Sequence, residues 1–290
     1  MNKEKITFIV NPIAGKRKKL NIESALNHCL DHKKYEYAVF YTSHKGHATE
    51  IALNAIKDSS IIIAVGGDGT INEIAKTLVG KSQSLGIIPV GSGNGLARHH
   101  GISRNVNEAI RVINNYKIVC SDTATLNEEF FISTAGCGFD AHIAALFAKS
   151  IQRGFSTYIK LVLKEFINYN SLDYKITVDN KTFIRNAFLI TVANGSQFGN
   201  NAYISPLACS NDGILDITLI KSFPIHQAPG LIYRLFMKKL HQSKNVEIFS
   251  GKNIIIEQLS ENAHIDGEVI KPGKKITINV HSNSLNIIVP

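Results

Sequence analysis

The pattern of apolar and polar positions changes character before the middle of the chain. Up to about residue 115, short apolar runs alternate with segments whose apolar residues recur at helical spacing. The runs at 6–10, 35–41, 61–65 and 85–90 read as strands, bounded by glycine, proline and asparagine turns. Helical periodicity follows over about 20–30 and 45–57. A helix capped by Thr70 runs to about Val79, another starts near Leu96, and a short one covers 106–114. Repeated strand–loop–helix units imply a largely parallel sheet with helices on both faces, and such sheets bind ligands at the carboxyl ends of their strands.

Beyond residue 116 strands dominate, at 119–126, 130–133, 174–178, 183–193, 214–220, 253–257, 276–280 and 285–289. Strict alternation in 175–179 and 275–280 predicts half-exposed antiparallel strands. Helical signal returns over 141–169, as two helices broken near Gly154, and over 227–240. The expected fold is an α/β domain over 1–118 and a β-rich domain over 119–290. Neither a linker tract nor an internal repeat is evident.

Composition narrows this picture. The chain has 290 residues, 44% hydrophobic and 19% charged, as in an ordinary globular protein. No apolar run is long enough to cross a bilayer, and no apolar segment follows the N-terminal charges. The four cysteines, Cys29, Cys120, Cys137 and Cys209, are scattered and form no metal-ligand pair. Free thiols and a cytoplasmic location are expected. The formal net charge is +9, which favours anionic partners. Its densest cluster, Lys16-Arg17-Lys18-Lys19, directly follows a glycine turn. Aromatics are not interleaved with the basic residues, so no nucleic-acid partner is expected.

Three glycine-rich turns end predicted strands: Asn11-Pro12-Ile13-Ala14-Gly15, Gly66-Gly67-Asp68-Gly69-Thr70 and Gly91-Ser92-Gly93-Asn94-Gly95. Glycine lets backbone approach a ligand closely, and a helix N-terminus favours an anion. Asp68 would repel phosphate unless it holds a cation or takes a proton, so the turn points to phosphate chemistry with a metal. Neither a P-loop nor a dinucleotide fingerprint is present. Acidic turns recur at Gly136-Cys137-Gly138-Phe139-Asp140, Asn211-Asp212-Gly213 and Ile265-Asp266-Gly267-Glu268. Asp-Gly between strands reads as a hairpin turn, while Glu268 could accept a proton from a substrate hydroxyl. His99, His100 and His264 lack metal-ligand spacing and read as surface or supporting groups.

In this order, the motifs resemble the diacylglycerol kinase catalytic-domain family, which includes bacterial soluble lipid kinases and sphingosine and ceramide kinases. The resemblance covers nearly the whole chain. It implies an NAD kinase-like fold with the active site between an α/β and a β-rich domain. It also implies ATP and Mg²⁺ as cofactors. Carried over, Asn11, Gly15, Thr42, Gly66, Gly67, Asp68, Gly69, Thr70, Ile71, Asn72, Ser92, Gly93 and Asn94 bind the nucleotide. Asp68 acts through Mg²⁺, Glu268 is the proton acceptor and Asp266 stands beside it. A structural Mg²⁺ would sit at Asp212 with the carbonyls of Cys209 and Ile214. Position 95 departs from the bacterial pattern, which often has Asp there. Lys16 or Arg17 would neutralise developing charge. The expected partner is a lipid presented at a membrane surface, with peripheral contact at the inner membrane face, and the candidate assembly is a homodimer. The rival readings are an NAD kinase and a non-catalytic nucleotide or lipid sensor of the same fold.

Overall fold

In the computed structural model, residues 3–15, 21–150 and 155–290 are described. They form two compact units, Met1–Ser121 with Asn283–Pro290, and Asp122–Ser282. The second boundary differs from the sequence expectation, because the last strand leaves its antiparallel partners and ends in the first unit.

The first unit runs β1 (Glu4–Val10), α1 (Ile22–Cys29), β2 (Tyr35–Tyr41), α2 (His47–Ala55), β3 (Ile61–Gly66), α3 (Asp68–Leu78), β4 (Ser84–Pro89), α4 (Gly95–His99), α5 (Val106–Asn114) and β5 (Lys117–Leu126), which continues into the second unit. The parallel order is β2-β1-β3-β4. From β1 the chain moves outward to β2, then returns on the other side to β3. That reversal puts the carboxyl ends of β1 and β3 at a topological switch point. β3 and β4 are buried along their whole length, as central parallel strands must be. Burying one side chain such as Ile63 or Ile88 contributes ~1.5–3 kcal/mol.

α3 shows how sequence sets position. Ile71, Ile74, Ala75 and Leu78 recur at helical spacing and are buried. The helix begins at Asp68 with Gly67 as its cap, three residues before the cap expected at Thr70. The first helical bond runs from the Ile71 N–H to the Gly67 carbonyl at 3.1 Å, which makes Thr70 a first-turn residue and not the cap.

The second unit adds β6 (Glu129–Phe131), β7 (Thr134–Gly138), α6 (Phe139–Lys149), α7 (Phe155–Phe166), β8 (Leu172–Val178), β9 (Lys181–Ala187), β10 (Leu189–Ala193), β11 (Leu215–Ile220), α8 (Ala228–Phe236), β12 (Val246–Gly251), β13 (Asn253–Glu257), β14 (Ala263–Ile265), β15 (Glu268–Ile270) and β16 (Lys275–Val289). One antiparallel layer pairs β16, β13, β8 and β9. The other has the order β12-β11-β10-β7-β14-β15. Their facing apolar residues, among them Phe131, Tyr174, Ile190, Ile217, Ile254 and Ile276, form one core. α6, α7 and α8 contribute to a second cluster around Phe139, Ile143, Phe188 and Leu231. Residues 285–289 of β16 belong to the first unit, where Asn286 and Ile287 pair in parallel with Ser84 and Leu85 of β4.

Candidate active site

In the first unit the three glycine-rich turns lie at the carboxyl ends of β1, β3 and β4, and specific bonds sew them together. The Asn11 amide donates to the Thr70 hydroxyl at 3.1 Å, while its own oxygen accepts the Ile13 N–H. Gly15 has φ +77, and a Cβ there would collide with the Val90 carbonyl oxygen. A Cβ on Gly91 would come within 2.5 Å of the Gly67 Cα. These turns therefore meet backbone to backbone, which only glycine permits.

Asp68 joins two of the turns. Its carboxylate oxygens accept the N–H groups of Asn94 and Gly95, each at 2.8 Å. Asn94 is fully buried in the left-handed region, φ 53, with its side-chain N–H bonded to the Gly91 carbonyl at 2.7 Å. Its Oδ1 is buried without a partner. Arg98 of α4 donates to the Gly93 carbonyl at 3.2 Å. The acid that looked out of place in a phosphate turn thus has a structural task, holding the β4 turn against the start of α3. A carboxylate accepting two backbone N–H groups is well satisfied at neutral pH.

The other nucleotide candidates divide. Gly67, Asp68 and Gly69 lie where a helix leaves its N–H groups without intrahelical carbonyls. Ser92 is exposed and Gly93 half-buried in the β4 turn. The Thr42 N–H donates to the Val10 carbonyl, which fixes Thr42 beside the end of β1. Gly66 is the last residue of β3, and Asn72 lies half-buried in α3. Ile71 is a correction. Its side chain is in the core at 1% exposure and its N–H is bonded within the helix, because α3 starts early enough to turn position 71 inward. Lys16 and Arg17 lie outside the described residues.

In the second unit Asp266 (φ 47) and Gly267 (φ 83) form a two-residue hairpin turn between β14 and β15, with Ile265 opposite Glu268. Left-handed φ at both turn positions marks a type I′ turn. The Asp266 carboxylate accepts the N–H groups of Ile132, Ser133 and Thr134 at 3.0, 2.8 and 3.1 Å. Asp266 therefore anchors the hairpin and is not a free catalytic acid. Glu268 is exposed at the start of β15.

The Asp212 carboxylate accepts the Ile214 N–H at 3.1 Å, an Asx turn. Its other oxygen carries no bond among the described residues. The Gly213 N–H donates at 2.6 Å to Asp122, a fully buried carboxylate at the start of this unit. The Cys209 thiol contacts the Asn211 amide oxygen at 2.9 Å. Among the described residues no group of three His, Cys, Asp or Glu side chains is arranged to hold a metal ion.

A further cluster went unread in the sequence. Residues 136–140 are not a turn: β7 runs directly into α6, whose first turn carries Asp140. Asp140 Oδ2 lies 2.9 Å from His264 Nε2 and 3.1 Å from the Thr191 hydroxyl, all three buried. His264 is thus interior, not at the surface. Gly136 makes room, since a Cβ there would come within 2.7 Å of Asp140 Oδ2. Burial, and then the Asp140 charge, push the Cys137 thiol well above its ordinary range, which leaves it inert. Only the Gly-x-Gly-x-Asp spacing hinted at this cluster, because His264 is distant in sequence.

The family model for the diacylglycerol kinase catalytic domain matches residues 5–126, and that for the YegS C-terminal NAD kinase beta sandwich-like domain matches 133–289. The chain belongs to the diacylglycerol kinase family of lipid kinases. The diacylglycerol kinase of Bacillus subtilis is 25% identical over 98% of this chain and 95% of its own. An uncharacterized Synechocystis protein is 28% identical over 98% of this chain and 70% of its own. A crystal structure of a diacylglycerol kinase from Bacillus anthracis superposes with a TM-score of 0.76 at 23% identity, covering 100% of this chain and 98% of that one. That likeness shows the fold: an α/β unit with a parallel sheet and a β-rich unit. A kinase family implies ATP as phosphoryl donor.

Proposed function

We propose that the chain transfers the γ-phosphoryl group of ATP to a hydroxyl of a membrane lipid, diacylglycerol or a sphingoid base. The observation that carries this reading is the joined set of glycine turns at β1, β3 and β4, built on backbone N–H groups in a chain of the lipid kinase family. Phosphoryl transfer needs positioning and charge neutralisation more than covalent chemistry. The N–H groups at 67–69 and 91–93 would cradle the phosphates. Mg²⁺ would arrive with the nucleotide, bound through phosphate oxygens and few protein ligands, with Asp68 of the first α3 turn the candidate carboxylate. Glu268 would take the proton of the lipid hydroxyl as its oxygen bonds the γ-phosphorus and ADP leaves.

Asp212, with the carbonyls of Cys209 and Ile214, would hold a second, structural Mg²⁺, and one Asp212 oxygen is left uncommitted for it. On that reading, chelation with EDTA lowers the melting temperature of the wild-type chain, and Asp212→Ala removes the effect. An unchanged melting temperature on chelation would eliminate the site.

The deciding assay supplies ATP and Mg²⁺ with diacylglycerol, phosphatidylglycerol, sphingosine, ceramide or NAD, and measures product mass. A phosphorylated lipid is the expected product. Phosphorylated NAD with no lipid product would assign an NAD kinase instead. Tight ATP binding without transfer to any acceptor would indicate a sensor.

A further inference from the structure

The stretch from Lys221 to Val246 contains five Lys or Arg residues and no Asp or Glu. It includes α8, which is apolar on two faces. Leu231 and Leu235 face inward, into the cluster formed with Phe139 and Phe188, and Leu240 follows them there. Ile232 and Phe236, and Tyr233 and Met237, are two i,i+4 pairs on the outer face. They are 48%, 37%, 59% and 51% exposed. Ile225, just before the helix, is 58% exposed. A helix on a globular surface ordinarily turns polar residues outward. Contiguous exposed apolar groups of this kind mark an interaction site.

The charges select the partner. Lys238, Lys239 and Lys244 are exposed and Arg234 half-buried, and none has an ion pair among the described residues. Lys238 Nζ lies 4.5 Å from the centre of the Tyr203 ring, and Lys221 pairs with Glu247 at 2.6 Å. A second copy of the chain would oppose these cations to themselves across a two-fold axis, which like charges disfavour. An anionic lipid surface complements them, and Tyr and Phe beside Lys suit the boundary between headgroups and acyl chains.

We propose that the outer face of α8 and the following turn, 232–239, docks the chain on an anionic lipid bilayer. The choice of a bilayer as occupant rests on the lipid kinase reading, but binding can be measured without turnover. The full chain, without ATP, is sedimented with vesicles of phosphatidylcholine alone or mixed with phosphatidylglycerol, at low and high salt. The wild-type chain is expected to bind the mixed vesicles and to dissociate as salt rises. The double variant Tyr233→Glu with Met237→Glu, which alters only exposed side chains, should lose roughly tenfold or more of that binding. Lys238→Glu with Lys239→Glu should lose a similar factor on mixed vesicles only. Both variants should phosphorylate a short-chain, water-soluble lipid as the wild type does. Loss there in all proteins would count against the kinase reading and leave the docking result standing. Undiminished vesicle binding by both variants would overturn the proposal. So would binding indifferent to phosphatidylglycerol, or a dimer in solution that the apolar double variant dissolves.

Discussion

Asp68 carries a structural burden that can be tested apart from the chemical role proposed for it. Its two accepted N–H groups, from Asn94 and Gly95, tie the β4 turn to α3. Asp68→Asn keeps the shape but supplies one acceptor oxygen where two N–H groups need bonding. Hydrogen bonds to a charged group are worth about 1.5–3 kcal/mol each. The variant should therefore melt at a lower temperature and lose ATP affinity as well as turnover, read by thermal denaturation and calorimetric titration. Wild-type melting with lost turnover would mean that the carboxylate acts only on the ligand. Glu268 is the contrasting case. It is exposed on its hairpin, so Glu268→Gln should keep the melting temperature while turnover drops by ~10²–10⁴. Asp266→Ala, which strands the N–H groups of Ile132, Ser133 and Thr134, should instead cost about 1–3 kcal/mol of stability. Denaturant titrations of the pair separate the two roles; equal destabilisation by both would refute the division.

At the scale of elements, the sequence was most legible where polar residues flank a run with clear periodicity. The strand over Tyr35–Tyr41, the helix over Val106–Asn114 and the strand over Asn253–Glu257 occur with the expected bounds. β7 is not legible in the sequence because Thr-Ala-Gly-Cys-Gly has no β-branched run, and it is held by β10 and β14 on either side. Nor is β12, a partly exposed strand secured by pairing with β11. The expected strand over 183–193 is two, β9 and β10, which belong to different sheets. The expected strands at 276–280 and 285–289 are one, β16. Such joins depend on partners far away in sequence, which periodicity cannot report. The glycine turns were legible as a set, but their mutual contact was not. Gly91→Ala tests that contact. Its Cβ would meet the Gly67 backbone, which cannot move aside as a side chain can, so a loss of roughly 1–3 kcal/mol is expected. Nucleotide affinity should fall with it. Normal affinity and stability together would show that the turns can part without harm.

At the scale of the whole molecule, acid separates two sets of titrating groups. Burial, reinforced by neighbouring His99, lowers His100 from its ordinary value to about 3, and burial also lowers His99. Nε2 of His100 is buried with no hydrogen-bond partner. The folded chain thus resists protonation there while the unfolded chain accepts it, so stability is present above about pH 6.5 and is lost as pH falls through the window down to about 3. Paired carboxylates act lower. Hydrogen bonding from Tyr41 lowers Glu23. Burial raises Glu247, but the hydrogen bonds of Lys221 and Arg185 outweigh it and leave it lowered. Both stabilise the fold above their unfolded value of 4.5 and lose that contribution as pH falls below it. Between pH 6.5 and 4.5 the histidine pair therefore acts apart from these carboxylates. Linkage gives at most ~2 kcal/mol lost at His100 by pH 5, with solvent access reducing that figure. Urea titrations at pH 7 and pH 5 should show the midpoint falling, and His100→Gln should remove most of the fall while leaving the steeper loss below pH 4.5. A variant with the full wild-type slope between pH 7 and 5 would place the acid sensitivity elsewhere in the chain.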